Sequence, residues 1–215
     1  MNLCKICFEK TRTIRDKKKN IAYYRCCNCG FVSLENGAIV DSITEKKHYA
    51  KHNNSFESTG YVEMFERFIK EGVEPYLLSV KRVLDFGCGH TPVLAELLKR
   101  KALDVDIYDY YFYPEKRYET RQYNMIVSTE VFEHLSDPIS ILQGLVNSLD
   151  TKGYILLMTQ FPTKDDIEFL EWWYRRDITH ISFFTPKSFE LMAERVGLKV
   201  VKLMNDNIVV FQKVC

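Results

Sequence analysis

The stretch VLDFGCGHTPVLAELL, residues 83–98, organises the rest of the chain. Val83 to Phe86 is a short run bounded by glycine, which reads as a buried strand. Gly87, Cys88 and Gly89 form a tight turn that lets backbone approach a ligand closely. Val93, Leu94, Leu97 and Leu98 then recur at helical spacing. A strand, a glycine turn and a helix in this order hold a nucleotide-like cofactor beyond the carboxyl end of the strand.

The alternation continues to the C-terminus. LDVDIYD (103–109) and YNMIVSTE (123–130) read as further strands, and DPISILQGLVNSLD (137–150) as a helix ended near Gly153. YILLMTQ (154–160) is another strand. TPKSFELMAERVG (185–197) is a helix with Thr185 as N-cap, Pro186 at its first position and Gly197 as stop. LKVVKLMND and NIVVFQKV close the chain as an antiparallel pair. The pattern predicts an α/β fold, a Rossmann-like open sheet, largely parallel and covered on both faces.

Asp109 ends the second strand, about twenty residues after the glycine turn, where a carboxylate can accept hydrogen bonds from both ribose hydroxyls of an adenosine. A dinucleotide fingerprint carries a third glycine, which lets a pyrophosphate reach the helix N-terminus. Pro92 stands at that position and lacks an N–H. S-adenosylmethionine has no phosphate to bind, and Asp85 can help to place its cationic end. The residues therefore favour S-adenosylmethionine over NAD.

VLDFGCG, DVDIYD, YNMIVSTEVFEHLSDP, GYILLMTQ and HISFFTPKSFELMAERVGLKVV together resemble a class I S-adenosylmethionine-dependent methyltransferase, from Lys81 to the C-terminus. STEVFEHL is similar to the ubiquinone-biosynthesis-like subgroup, whose members methylate small molecules. The resemblance implies that Asp85, Gly87 and Gly89 line the methionine part. It implies that Asp109 holds the ribose with Tyr110 beside it, and that Ser128, Thr129 and Glu130 flank the sulfonium. It places His134 at a helix start facing the acceptor. Two departures stand out: Thr91 replaces a further glycine, and only thirteen residues separate Asp109 from Tyr123. The family fits a helix and a strand there. Here YYFYPEKRYETRQ reads as an irregular connection, and Tyr111 or Phe112 can pack on adenine.

The N-terminal residues carry a different signal. Cys4-x-x-Cys7 and Cys26-x-x-Cys29 are separated by 18 residues, a spacing that gives one tetrahedral Zn2+ four thiolates. TRTIRDKKKNIAYYR between them reads as two strands around a polar tip, so the expectation is a structural zinc ribbon. Cys27 offers an alternative to Cys26. Lys17, Lys18 and Lys19 at the tip can touch phosphate or form a solvated turn.

The expected organisation is a ribbon over residues 1–40, a linker over 41–79 and a cofactor-binding domain over 80–215. In the linker, Val62, Phe65, Phe68 and Ile69 recur at helical spacing until Gly72 and Pro75. Its His48, Tyr49, His52 and Tyr61 suit either packing or a flap over the cofactor. Beyond the last parallel strand, Trp172, Trp173, Tyr174, Arg175, Arg176 and Asp177 can cap an acceptor pocket, the arginines suiting a carboxylate or phosphate. The alternative there is an amphipathic helix burying Phe169, Leu170 and Trp173, with a surface Arg–Asp pair. His134 is the first candidate base and His180 the second.

Among 215 residues, 46% are hydrophobic and 27% charged, as in soluble globular proteins. The net charge of +1 gives no general field for nucleic acid. No apolar run approaches the ~20 residues that span a bilayer. MNLCKICFEK lacks an apolar signal region, so a cytoplasmic protein with reduced cysteines is expected. These readings converge on methyl transfer to a small molecule. The alternatives are an RNA or protein methyltransferase with the ribbon as reader, and a non-catalytic cofactor-binding module.

Overall fold

The structure, a computed structural model, describes residues 2–50 and 55–214; His52 lies outside them. The N-terminal hairpin pairs β1 (Thr11–Asp16) with β2 (Ile21–Cys26) around the lysine tip. Strand β3 (Val32–Leu34) adds to β2. Between the hairpin and the main sheet lie α1 (Ser42–Tyr49) and α2 (Thr59–Phe68). Asp41 starts α1 by accepting the Ile43 and Thr44 amides. Beyond α2 the chain loosens into a π turn and then a 3-10 turn over Gly72 and Pro75.

The central sheet is built from β4 (Arg82–Phe86), α3 (Val93–Lys99), β5 (Asp104–Tyr108), β6 (Tyr123–Thr129), α4 (Pro138–Asn147) and β7 (Leu149–Met158). After α5 (Asp166–Glu171) and the two-residue β8 (Ser182–Phe183) come α6 (Pro186–Arg195), β9 (Leu198–Met204) and β10 (Ile208–Lys213). The strand order is β5-β4-β6-β7-β10-β9. The first four strands are parallel, and β10 and β9 are antiparallel additions, so the sheet is mixed.

Side-chain alternation along the strands builds two cores, one on each face. Leu84, Phe86, Ile126, Ile155, Leu157, Val209 and Phe211 point to the face covered by α4 and α6. Val83, Met125, Val127, Leu156, Met158, Ile208 and Val210 point to the face covered by α2 and α3. Each fully buried Leu, Ile or Phe contributes about 1.5–3 kcal/mol by area removed from water.

Two boundaries differ from the sequence expectation. The helix from Pro138 ends at Asn147, and β7 starts two residues later at Leu149, opposite Tyr123. Gly153 lies inside that strand rather than ending the helix. A Cβ there would stand 2.9 Å from the Asp150 carbonyl oxygen, so only glycine fits the local bend. The connection after Asp109 is irregular, as expected, with an isolated Asp109–Tyr113 bridge and a 3-10 turn at Arg117–Thr120.

The N-terminal hairpin is joined to the larger sheet's surroundings. Strand β3 pairs with β8, giving a four-stranded sheet β1-β2-β3-β8. Cys4, Ile6, Cys26, Cys29 and Phe31 share a core with Phe184 and Phe189 of the C-terminal region. The Thr185 hydroxyl, which caps α6, also donates to the Cys29 carbonyl at 2.5 Å. Arg175 was expected at an acceptor pocket or on the surface of an amphipathic helix. It is instead buried against the hairpin, 2.9 Å from Asp16 and 3.1 Å from the Tyr23 hydroxyl. Trp173 is exposed, whereas Phe169 is buried.

Candidate cofactor and active site

The chain leaves β4 toward β5 on one side, while β6 lies on the other, so the crevice beyond β4 is the topological switch point. Gly87 and Gly89 line it with φ of 86° and 68°. A Cβ on Gly87 would stand 2.2 Å from a Val131 methyl, so the turn and the end of β6 pack too closely for any side chain. At Gly89 nothing lies within 4 Å of that position, which leaves open space above the turn.

Asp85, at the end of β4, is buried, and its Oδ2 has no hydrogen-bond partner among the described residues. Burial pushes its carboxyl up to about 7, while the Ala95 amide opposes the shift and Asp109 adds to it. A buried orphan carboxylate beside a glycine turn is a fit for a cationic group.

Asp109 holds the turn from the β5 side. Its Oδ2 accepts the Gly89 amide at 3.0 Å, and its Oδ1 accepts the Tyr111 and Phe112 amides at 2.9 and 3.0 Å. Those bonds use three of the roughly four acceptor positions of a carboxylate. A ribose therefore finds room for about one further bond, fewer than the two expected from the sequence. Tyr110 is exposed, its ring edge-on to Tyr111.

The end of β6 carries the second half of the site. Glu130 takes φ of 54°, a left-handed conformation uncommon for a residue with a side chain, and donates its amide to the Met158 carbonyl at 2.8 Å. The Tyr174 hydroxyl lies 3.0 Å from Glu130 Oε2, contacts Glu133 Oε1 more closely, and meets the Thr159 hydroxyl at 3.1 Å. Burial raises the Glu130 carboxyl to about 7. Burial, with the Glu130 charge added, raises Glu133 to about 8. The Tyr174 phenol is pushed far above its ordinary range by burial and by both carboxyls. Glu133, between the 3-10 turn's Phe132 and His134, is fully buried.

His134 ends a 3-10 turn, Phe132–His134, rather than starting a helix; α4 begins four residues later. Its Nδ1 is 3.0 Å from the Thr179 carbonyl, and Nδ1 of His180 is 2.8 Å from the Tyr174 carbonyl. The two rings lie 4.8 Å apart between centroids. Burial, with His134 alongside, lowers His180 to about 3, so it is a neutral imidazole and a feeble base at neutral pH.

The segment before β4 covers this crevice. The Tyr49 ring meets His134 edge-on at 5.2 Å, and His48 pairs with Asp177 at 3.0 Å. Glu45 accepts the hydroxyls of Tyr49 at 2.8 Å and Tyr111 at 2.5 Å. From α2, the Tyr61 phenol is raised by burial first and then by Asp85 and Glu130. No residue of α1 is buried, and polar and ring contacts hold it over the site. The polar sequence of α1 gave little warning of a helix.

The four cysteines form a second cluster. Their Sγ separations are 3.6 Å for Cys4–Cys29, 3.4 Å for Cys7–Cys26 and 3.7 Å for Cys7–Cys29. A tetrahedral ion with Zn–S of about 2.3 Å needs S···S of about 3.8 Å. The Ile6 amide donates to Cys4, and the Asn28 and Cys29 amides to Cys26, as thiolates require. Cys27 is exposed and outside the cluster.

Over residues 51–203 the chain matches the family described as "Methyltransferase domain". The chain belongs to this methyltransferase family, an enzyme family. No curated protein matches it. Among solved structures, its fold is similar to CalO1, a methyltransferase in calicheamicin biosynthesis in its SAH-bound form. The TM-score is 0.59 and the identity 14%, over 81% of this chain and 59% of that one. An O-methyltransferase family protein from Burkholderia thailandensis gives 0.52 and 11%, over 79% and 62%. The mitomycin 7-O-methyltransferase MmcR gives 0.51 and 12%, over 80% and 67%. The chain thus spans about three fifths of the length of the first two. Among the described residues, no helix is long and apolar enough to cross a membrane.

Proposed function

We propose that the chain binds S-adenosylmethionine in the crevice beyond β4 and transfers its methyl group to a small-molecule acceptor. The observation that carries this reading is the buried Asp85 carboxyl beside the Gly87–Gly89 turn, whose Oδ2 has no partner among the described residues, in a member of a methyltransferase family. The methionine ammonium or the sulfonium satisfies that carboxyl. Gly87 and Gly89 line the methionine part, and Asp109, with Tyr110 beside it, takes the ribose. Glu130 stands on the sulfonium side, and His134 and His180 on the acceptor side. The SAH form of the calicheamicin protein, which holds the demethylated cofactor on the same fold, supports the cofactor class.

Methyl transfer needs an acceptor atom held in line with the S–CH3 bond. Orientation of this kind lowers a barrier by up to about 7–11 kcal/mol in favourable cases. Tyr49, Tyr61 and the α1 segment exclude water over the crevice, which strengthens the fields of the charged groups beneath. His134, less buried than His180, is the group better placed to take a proton from an acceptor hydroxyl.

Residues 1–40 serve as a structural zinc ribbon, 41–79 as a cover, and 80–215 as the cofactor-binding domain. Four thiols at these separations cannot all ionise without a cation. Cys4 is drawn down to about 5 by the Cys29 thiol, and Cys29 is pushed far up by Cys4 in turn. Zn2+ with four protein ligands resolves that conflict and leaves no open position for chemistry. Turnover of labelled S-adenosylmethionine with a metabolite extract tests the function. Label in a small-molecule fraction supports it, and label confined to RNA or protein rejects the acceptor class.

A further inference from the structure

We infer that Glu133, His134 and His180 form a second metal site, separate from the cysteines, for a divalent transition cation such as Zn2+, Mn2+ or Fe2+. One potential ligand atom from each residue lies within 4.8 Å of the other two. Two further observations turn proximity into a site.

The first is the state of Glu133. The residue is 0% exposed, its Oε1 is engaged by Tyr174, and its Oε2 has no hydrogen-bond partner among the described residues. Burial holds this group as the neutral acid in the metal-free chain, and a cation that displaces the proton would meet the free oxygen. The Tyr174 phenol fixes the carboxylate's orientation, as outer hydrogen bonds do around metal ligands.

The second is the tautomer of both imidazoles. Each Nδ1 faces a backbone carbonyl, Thr179 for His134 and Tyr174 for His180, so each Nδ1 carries the proton. The lone pair is left on Nε2 in both rings. Metal-bound histidines use this arrangement, with the other ring N–H held by a carbonyl or carboxylate. Zn–N and Zn–O bonds of about 2.0–2.2 Å place ligand atoms about 3–3.5 Å apart, so ion binding would draw the three ligand atoms together by up to about 1.5 Å from separations within 4.8 Å.

The donor set sets the ion and its use. Two imidazoles and one carboxylate suit zinc, iron or manganese, and three protein ligands leave positions open. On the methyl-transfer reading, on which this clause alone rests, an open position takes a hydroxyl oxygen of the acceptor and lowers its pKa, so that with the cation bound the metal replaces His134 as the activating group and the proton leaves to solvent.

The test uses the full-length chain. Metal is counted in the purified protein, which is then titrated with Mn2+, followed by paramagnetic resonance, and with Zn2+, followed by calorimetry. One cation beyond any held by the cysteines is expected. E133Q and H180Q should each weaken it at least about tenfold, a loss of the size seen when metal-site partners are removed. Circular dichroism identifies a variant that fails to fold, and H134Q then replaces it. Absence of that extra cation, or equal affinity in the folded variants, overturns the site. S-adenosylmethionine binding is measured on the same samples. A protein that takes the cation but no S-adenosylmethionine keeps the metal site and loses the methyl-transfer reading, and the converse outcome does the reverse.

Discussion

The Arg175 guanidinium stands 2.9 Å from the Asp16 carboxylate, with side-chain exposures of 5% and 7%. This pair joins the tip of the N-terminal hairpin to the segment that also carries Tyr174 and His180. Asp16 further accepts the Lys18 and Lys19 amides at 2.9 and 3.1 Å. Arg175→Met leaves a buried carboxylate short of its cation and should cost about 3–5 kcal/mol. The double variant with Asp16→Leu should cost less, because no orphan charge remains. Urea unfolding of both variants measures this; a loss under about 1 kcal/mol for Arg175→Met would show that the pair does not hold the hairpin.

The Asp16 carboxyl lies below its ordinary pKa: burial opposes ionisation, but the Lys19 amide and Arg175 outweigh it. A depressed carboxyl contributes stability that is present above its unfolded pKa and is lost as pH falls through the folded one. Its contribution should therefore be lost in acid, below about pH 4.

Asp85 works in the opposite direction. Its pKa of about 7 is raised by burial, so folding favours the protonated form. The stability it contributes is full below the unfolded pKa and falls as pH rises through about 7. Thermal melts of the cofactor-free protein between pH 5 and 8 should show this slope together with those of Glu130 and Glu133, and Asp85→Asn should make it shallower by the Asp85 share. A cationic ligand reverses the preference, so S-adenosylmethionine binding near pH 7 should release a proton. Calorimetry in buffers of different ionisation enthalpy detects it, and no buffer dependence would remove Asp85 from the cofactor site.

The two turn glycines should separate fold from binding. Gly87→Ala meets both a positive φ and the Val131 methyl at 2.2 Å. Gly89→Ala meets only the positive φ, a strain of about 1–2 kcal/mol. Gly87→Ala should be less stable than Gly89→Ala by at least about 1 kcal/mol. Gly89→Ala should keep its fold and lose cofactor affinity, since its methyl enters the open space over the turn. Paired melting and binding curves decide this.

The cysteine cluster predicts about one zinc per chain that resists gentle purification. Cobalt exchanged into the site should show thiolate charge-transfer bands, and Cys7→Ser should weaken them. A strong chelator should lower the melting temperature, because the cysteines share their core with Phe184 and Phe189. Zinc-free protein with an unchanged melt would rule out a structural role for the metal.

The sheet was legible because its strands are short apolar runs bounded by turn residues, as strands buried on both faces are. Val83 against Leu84, Ile126 against Val127, and Val209 against Val210 divide between two cores. The start of β7 was not, because Leu149 continues the helical spacing of Leu142, Leu145 and Val146 and is buried in either reading. The glycine turn and the cysteine spacings were readable because they depend on local geometry. Glu133, the Tyr174 hydroxyl and the Arg175–Asp16 pair were not, since those contacts cross 41 to 159 positions of sequence. A glutamate in a charged helical turn looks solvated until the fold buries it. The short segment after Asp109 did signal irregular backbone, and that backbone now occupies much of the Asp109 carboxylate.

The most direct test is calorimetric titration of the full chain with S-adenosylmethionine, S-adenosylhomocysteine and NAD, repeated for Asp109→Ala. Stoichiometric binding of the first two, none of NAD, and a loss of about tenfold or more in the variant is the predicted result, matching one charged hydrogen bond of about 1.5–3 kcal/mol. Binding of NAD alone, or undiminished S-adenosylmethionine affinity in Asp109→Ala, would contradict the account.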